Sequence, residues 1–540
     1  MSEVAAPAPG TGLVLGSPAG RWVLVATILG SAIAGIDATV VNVALPAVAA
    51  DLDTDFAALQ WTVSAYALTL ASFILLGGTL GDRFGRRRVF VVGVVWFAAA
   101  SLLCGLAVNA EMLIGARAVQ GIGAALLTPG SLAILQASFA TSDRARAIGA
   151  WSGLGGVATA IGPLLGGWLV DVASWRWVFL INLPLAALVV WLAVRHVPDS
   201  HDAGADGTPV DWAGGLLGAL ALAGATYALI ESGGGAAVVV PSVAVAVVAG
   251  AAFVVRQRRT PYPVLPLSVF GSAQFSAVNA VTFLVYGGIG IVFLLLVLQL
   301  QEATGFGPVA AGSALLPVTA LMLVLSSQSG ALAARIGPRL QMTVGPVVCA
   351  GGMLLLARVG EGDSYLVDVL PGVLVFGLGL SAMVAPLTAA ALGAAPDEHA
   401  GLASGVNNAV ARTGGLLAVA AIPVVAGVDS ESGAGLGDGY SAALLISAGV
   451  LVVGAVVAAL TVRNDVLDPG PAPASTSGPT PASTPGGPDA APDVVPAAMA
   501  GADPVREPAP SRQLTHCGVG APPVVSACDD AGRPCSGRRG

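Results

Sequence analysis

Long apolar blocks separated by short polar connections occupy the chain from about residue 22 to residue 462. Fourteen of these blocks are long enough to cross ~30 Å of hydrocarbon as helices. They cover residues 22–46, 59–81, 89–108, 112–137, 147–170, 176–194, 212–231, 237–255, 275–298, 309–333, 342–358, 366–391, 402–427 and 441–462. The pattern predicts an all-α polytopic membrane protein. Six spans precede a polar linker, two spans are joined by the tight Glu231-Ser232-Gly233-Gly234-Gly235 turn, and six more follow. That 6 + 2 + 6 order is the plan of two homologous bundles with an inserted hairpin. The expected divisions are a disordered N-terminus (1–20), an N-terminal six-helix bundle (21–195), a linker (196–211), a two-helix hairpin (212–259), a C-terminal six-helix bundle (260–463) and a disordered tail (464–540).

Composition agrees, with 55% hydrophobic and only 10% charged residues among 540. All 23 basic residues are Arg, and their distribution orients the chain by the positive-inside rule. With both termini cytoplasmic, the inner connections collect Arg21, Arg83, Arg86, Arg87, Arg88, Arg144, Arg146, Arg195, Arg256, Arg258, Arg259, Arg335, Arg339 and Arg463. Only Arg176 and Arg358 fall outside, where Asp51, Asp53, Asp55, Glu361, Asp363, Asp429, Glu431 and Asp438 lie. No cleavable signal peptide is expected, because the first apolar run lacks its own basic flank. The absence of Lys excludes nucleotide hydrolysis by a P-loop, which needs that residue on the phosphates. The net charge of -8 is shared between outer loops and tail, so no nucleic-acid partner is expected.

Within the apolar blocks the rare polar residues carry the chemistry. Asp37 stands in Gly35-Ile36-Asp37-Ala38-Thr39-Val40-Val41-Asn42, in the middle of the first span. A charged Asp near a helix centre costs roughly 2.5–3.5 kcal/mol on insertion scales, so it faces a polar interior and marks a proton, ion or substrate path. Arg117 in span four carries the same cost, and Arg412, two to three turns into span thirteen, needs a partner if buried. Gln60, Trp61, Tyr66, Gln299, Gln301, Gln328, Asn407 and Asn408 line a cavity or bond between helices. No His lies centrally in a span and no nucleophile, base and orienting acid assemble, which argues against an enzyme. His516, Cys517, Cys528 and Cys535 in the tail lack zinc-ligand spacing, so no metal and no cofactor are expected. Cys104 and Cys349 are read as small apolar fillers.

The loop after span two reads Gly78-x-Leu80-Gly81-Asp82-Arg83-x-Gly85-Arg86-Arg87-Arg88, and a weaker echo, from Gly330 to Arg339, follows span ten without the acid. This loop resembles the signature of the major facilitator superfamily. Arg117-x-x-Gln120-Gly121-x-Gly123 resembles its buried-Arg motif. Gly153-x-x-Gly156 followed by Gly162-Pro163-x-x-Gly166-Gly167 in span five resembles the antiporter motif of its drug exporters. The segment around Asp37 and Trp175-Arg176-Trp177-Val178-Phe179-Leu180-Ile181-Asn182-Leu183-Pro184 resemble the fourteen-helix drug:proton antiporter branch. The resemblance covers about residues 20–463.

It implies a proton-coupled efflux transporter of hydrophobic or amphipathic compounds such as antibiotics, working by alternating access in the plasma membrane. By the resemblance Asp37 takes part in proton coupling, Arg117 supports proton or substrate handling, and the loop of Gly78, Asp82, Arg83, Gly85 and Arg86 governs conformational switching. Asn42 and Arg412 join the proton and substrate candidates by their places in spans one and thirteen. The antiporter motif supplies Gly153, Gly162, Pro163, Gly166 and Gly167. Asp82 is expected near the start of span thirteen, around Gly401 to Ser404. Asp37 is the one clearly central carboxylate, with Glu231 at the outer end of span seven as a second acid whose participation stays open. The partners implied are a small-molecule substrate, protons and membrane lipid, with the chain a monomer. Two other readings stay open: a dedicated exporter of one self-made metabolite, and a non-transporting sensor whose tail binds partners.

Overall fold

A computed structural model describes residues 12–202, 204, 207–395, 400–428 and 436–467. The tail with Cys517, Cys528 and Cys535 lies outside the described residues. The N-terminal six spans are α1 (Pro18–Leu52), α2 (Phe56–Phe84), α3 (Arg86–Gly105), α4 (Ala110–Ser138), α5 (Thr141–Val172) and the pair α6 (Trp177–Leu180) and α7 (Asn182–His196). The hairpin is α8 (Trp212–Ile230) and α9 (Ala236–Arg259). Then come α10 (Ala273–Glu302), the pair α11 (Pro308–Ser313) and α12 (Leu316–Ile336), α13 (Arg339–Leu356), α14 (Leu370–Gly393), α15 (Ala400–Val425) and α16 (Gly437–Thr461). Among the described residues these make fourteen helical spans long and apolar enough to cross a membrane, and the single β feature is a bridge between Leu13 and Phe139.

Several spans are not the continuous helices expected. Span six breaks at Ile181 and span ten at Leu315, each three or two residues before a proline, Pro184 and Pro317. A proline ring collides with the carbonyl four residues earlier and supplies no N–H, so the preceding helix ends there. Span twelve begins as a π-helical turn over Tyr365–Val369. The first span extends well past both predicted ends, capped by the Ser17 hydroxyl on the Gly20 N–H, and Asp53 closes it with a left-handed φ of 48°.

In the first half α2 and α3 pack on α4, while α1 packs on α5 and α7. In the second α13 packs on α14 and α16, and α10 on α15 and α16. The halves meet where α5 touches α11, α2 touches α15 and α1 touches α10. Helix α8 lies against both α2 and α15, and α9 lies against α8. Hydrogen bonds between the halves lie towards the end that carries Asp51, Asp53 and Asp55, while at the other end α2 meets α15 through Leu75. Asn42 Nδ2 donates to the Phe293 carbonyl (3.2 Å), Gln301 Nε2 to the Val43 carbonyl (3.1 Å), and Gln60 Nε2 to the Val419 carbonyl. At the same end the α5 glycines permit the closest approach. A Cβ on Gly166 would stand 2.5 Å from the Val40 side chain, and one on Gly167 2.5 Å from the Pro308 carbonyl oxygen. Towards the Arg-rich end, Gly149, Gly153, Gly155 and Gly156 of α5 face open space, and Leu323, Val324 and Leu332 of α12 are exposed.

Candidate functional site

Five spans of the first half converge on one carboxylate. Asp37 of α1 and Arg117 of α4 are both buried, and Arg117 Nη1 donates to Asp37 Oδ2 at 2.5 Å. The other carboxylate oxygen, Oδ1, accepts from Gln120 Nε2 of α4 (2.8 Å) and from Asn182 Nδ2 at the start of α7 (3.1 Å). Gln120 and Asn182 also donate to the Ser101 hydroxyl of α3, at 2.7 and 3.3 Å. Arg117 is fixed further by its Nε donating to the Thr62 carbonyl of α2 (3.1 Å). Its guanidinium lies 4.3 Å from the Tyr66 ring centroid and 5.7 Å from that of Phe179.

This local geometry follows from the sequence. Arg117 and Gln120 are three residues apart on one helix, so both reach the same neighbour. The break at Ile181 places Asn182 in the first turn of α7, where it turns inward fully buried. A buried ion pair is stable only when its remaining donors and acceptors are also satisfied. Here Oδ1 accepts two donors and Oδ2 one, so a proton arriving on Asp37 takes the remaining acceptor site of Oδ2 and removes the charge that holds Arg117. Asn182 Oδ1 is buried and has no hydrogen-bond partner among the described residues.

The other residues singled out in the sequence are distributed over the molecule. Asn42, five residues beyond Asp37, does not join the Asp37 cluster; it spans the two halves by its bond to Phe293. Arg412 of α15 is exposed, with Asn408 Oδ1 3.4 Å from its Nε. Asp82 forms a salt bridge with Arg86 (2.8 Å), and α2 approaches span thirteen through Leu75, 3.2 Å from where a Cβ of Gly405 would be. Arg83 lies over the Phe84 ring, and Gly78 packs near Pro129. Gly85 has φ +104°, open to glycine alone in practice, and a Cβ there would meet Asp199 Oδ1 at 2.8 Å. That Asp199 lies in the linker, pairs with Arg87 and Arg88, and is followed by Ser200, whose carbonyl accepts from the Arg86 N–H (2.8 Å).

In the antiporter motif, Gly162, Gly166 and Gly167 are contact points, with Gly162 against Thr39. The Pro163 carbonyl lies 2.2 Å from a Cβ built on Gly312 of α11, whereas Gly153 touches nothing within 4 Å. Glu231 accepts from Trp61 Nε1 (2.8 Å), tying the hairpin to α2. Sequence reasoning did not single out Gln120, Asn182 and Ser101 as site residues. Gln120 and Asn182 stood inside recognised motifs, and their position in otherwise apolar spans was the available signal. Ser101 offered none. Among the described residues no cluster of His, Cys, Asp or Glu of metal-binding size occurs.

A family model described as Major Facilitator Superfamily matches residues 27–419. The chain is 37% identical over 412 residues to the multidrug resistance protein Stp of Mycobacterium tuberculosis, covering 74% of each. It is 35% identical to the methylenomycin A resistance protein of Bacillus subtilis, covering 76% of this chain and 88% of the relative. With the tetracenomycin C resistance and export protein of Streptomyces glaucescens the identity is 34%, over 74% of this chain and 75% of the relative. Among solved structures, the POT family transporter PepTSo superposes with a TM-score of 0.61 at 16% identity, covering 81% of this chain and 97% of that one. A D-xylose-proton symporter gives 0.59 at 14%, over 82% and 98%.

Proposed function

Because the chain belongs to the Major Facilitator Superfamily, a family of transporters, we propose that it is a drug:proton antiporter exporting hydrophobic or amphipathic small molecules, antibiotics among them. It is a multi-pass protein of the bacterial plasma membrane. The observation that carries the reading is the Asp37 carboxylate, buried near the middle of a span and filled with donors from α4 and α7. Protonation of such a group removes its charge from the pair with Arg117, and that loss couples protonation to helix rearrangement.

With both termini cytoplasmic, the contacts gathered at the Asp51–Asp55 end close the outer side, and the separated halves of α5 and α12 open inward. Residues 21–195 and 260–463 then act as two rocking bodies, with 212–259 as an inserted hairpin. Asp37 takes a proton when the cleft opens outward, Arg117 withdraws from it, and substrate leaves. Proton release inward restores the pair. The loop from Gly78 through Asp82, Arg83 and Gly85 to Arg86, held by Asp199 and Ser200, works as the inner switch, while Gly162, Pro163, Gly166 and Gly167 provide the rocking surface. The chain needs no partner beyond substrate, protons and lipid.

The test is dye uptake into inverted membrane vesicles, with fluorescent dyes of both charges, for the parent and Asp37→Asn. Uptake that collapses with an uncoupler and is absent in the variant supports the reading. Uncoupler-sensitive uptake by Asp37→Asn at the parent rate sinks it. A second reading, export of one self-made product, draws on the tetracenomycin C relative, whose name joins resistance to export. A single transported compound in a broad panel would favour it.

A further inference from the structure

Arg412 occupies an unusual place in α15. Gly405 and Val419 lie seven residues before and after it, and seven residues are nearly two turns, so all three share one stripe. That stripe faces α2. At Gly405 it meets Leu75, and at Val419 its carbonyl accepts from Gln60. Ala409, one turn before Arg412, packs against the core of the first half. The seam between α2 and α15 is therefore closed above and below Arg412, yet Arg412 itself is exposed. Helix α8 packs on both α2 and α15 and covers one flank of the seam. The remaining opening is the cleft between the halves. Tyr66 of α2 and Tyr286 of α10 both lie within electrostatic range of the guanidinium there.

The charge balance of this level is lopsided. Asp37 is matched by Arg117, and among the described residues Arg412 forms no ion pair. A guanidinium near the middle of a membrane span, with no acid beside it, leaves the cleft one positive charge in excess, and this holds a cation away while favouring an anion. Its planar fork suits a carboxylate or phenolate oxygen better than a bulk apolar group.

We propose that Arg412 sets substrate specificity and selects organic anions, aromatic molecules bearing a carboxylate or phenolate whose charge meets the guanidinium while the ring system lies beside Tyr286. This assignment rests on the exporter reading above and names the substrate class of the same cleft.

The test is a binding titration of the purified full-length chain, followed by fluorescence anisotropy with fluorescein as the anion and ethidium as the cation. The parent binds fluorescein more tightly than ethidium. Arg412→Gln lowers the fluorescein-to-ethidium affinity ratio by about tenfold, the scale of one lost charge contact, Arg412→Glu inverts it, and Arg412→Lys keeps most of it. Thermal unfolding of each variant verifies the fold. Equal affinities in the parent, or a ratio unchanged in Arg412→Gln, overturn the proposal. Charge-selective binding without uncoupler-sensitive transport would sink the antiporter reading and leave the anion assignment standing. Coupled transport with charge-blind binding would do the reverse.

Discussion

Asp37, fully buried, receives three side-chain donors, and Arg117 gives its charge to the same pair. Removing one member of such a pair leaves an uncompensated charge and costs about 3–5 kcal/mol, whereas neutralising both together costs far less. Asp37→Asn and Arg117→Gln should each lower thermal stability in detergent, and the double variant should recover most of that loss. All three should fail to couple dye movement to the proton gradient. A stable, uncoupled double variant separates the proton-handling role from a role in folding; coupled transport by it would refute the role. Asp37 and Arg117 were legible in the sequence because a charge inside an apolar run has few explanations. Gln120 and Asn182 were half legible, since a motif names residues without naming which atoms they reach. Ser101 was illegible: a helical Ser ordinarily bonds to its own backbone, and only the packing of α3 against α4 turns it towards two amides.

At the scale of elements, the glycines of α5 divide into two groups that the sequence alone could not separate. Gly166 has no room for a methyl group against Val40, while Gly153 faces open space. Gly166→Ala should therefore lower the unfolding temperature through forced separation of α1 and α5, and Gly153→Ala should leave it unchanged. Equal shifts for both would show that the packing differs from the structure. The fourteen spans themselves were readable from length and apolarity, and their breaks at Ile181 and Leu315 answer to Pro184 and Pro317. The π-helical start of span twelve had no such signal. The base of the hairpin offers a pH test. Asp211 caps α8 on the Gly214 N–H and accepts from Arg256 and Gln257. Burial is the largest influence on its carboxyl and pushes the pKa up, but the hydrogen bonds from Arg256, Gly214 and Gln257 together outweigh it and hold the group below its ordinary 3.8. A depressed folded-state value contributes stability that is present above the ordinary carboxylate range and is lost as pH falls through the lower folded value. Unfolding temperature should thus drop on acidification below about pH 4, with a smaller drop in Asp211→Asn; identical acid profiles would show that the clasp contributes nothing.

Across the whole molecule, the hydrogen bonds between the halves gather at one end, although α2 also meets α15 towards the other through Leu75 and Gly405. Asn42, Gln301, Gln60 and Gly167 all cross between the halves at one end, while Gly153 stands free towards the other. A thiol introduced at each end reads that asymmetry directly. In inverted vesicles, where the cytoplasmic side faces the medium, Gly153→Cys should react quickly with a membrane-impermeant maleimide and Asn42→Cys should be protected. Of the native thiols, Cys104 and Cys349 are buried, and Cys517, Cys528 and Cys535 of the tail are replaced by Ser so that the introduced thiol alone is read. A proton gradient that favours the outward-open arrangement should slow labelling of Gly153→Cys, because a two-state rocking motion cannot open one end without closing the other. When the label is applied to right-side-out cells under the same gradient, Asn42→Cys should become reactive. Labelling of Gly153→Cys only from the outside would overturn the orientation that the Arg distribution assigns. Labelling unaffected by the gradient would separate the Asp37 pair from the motion it is proposed to drive.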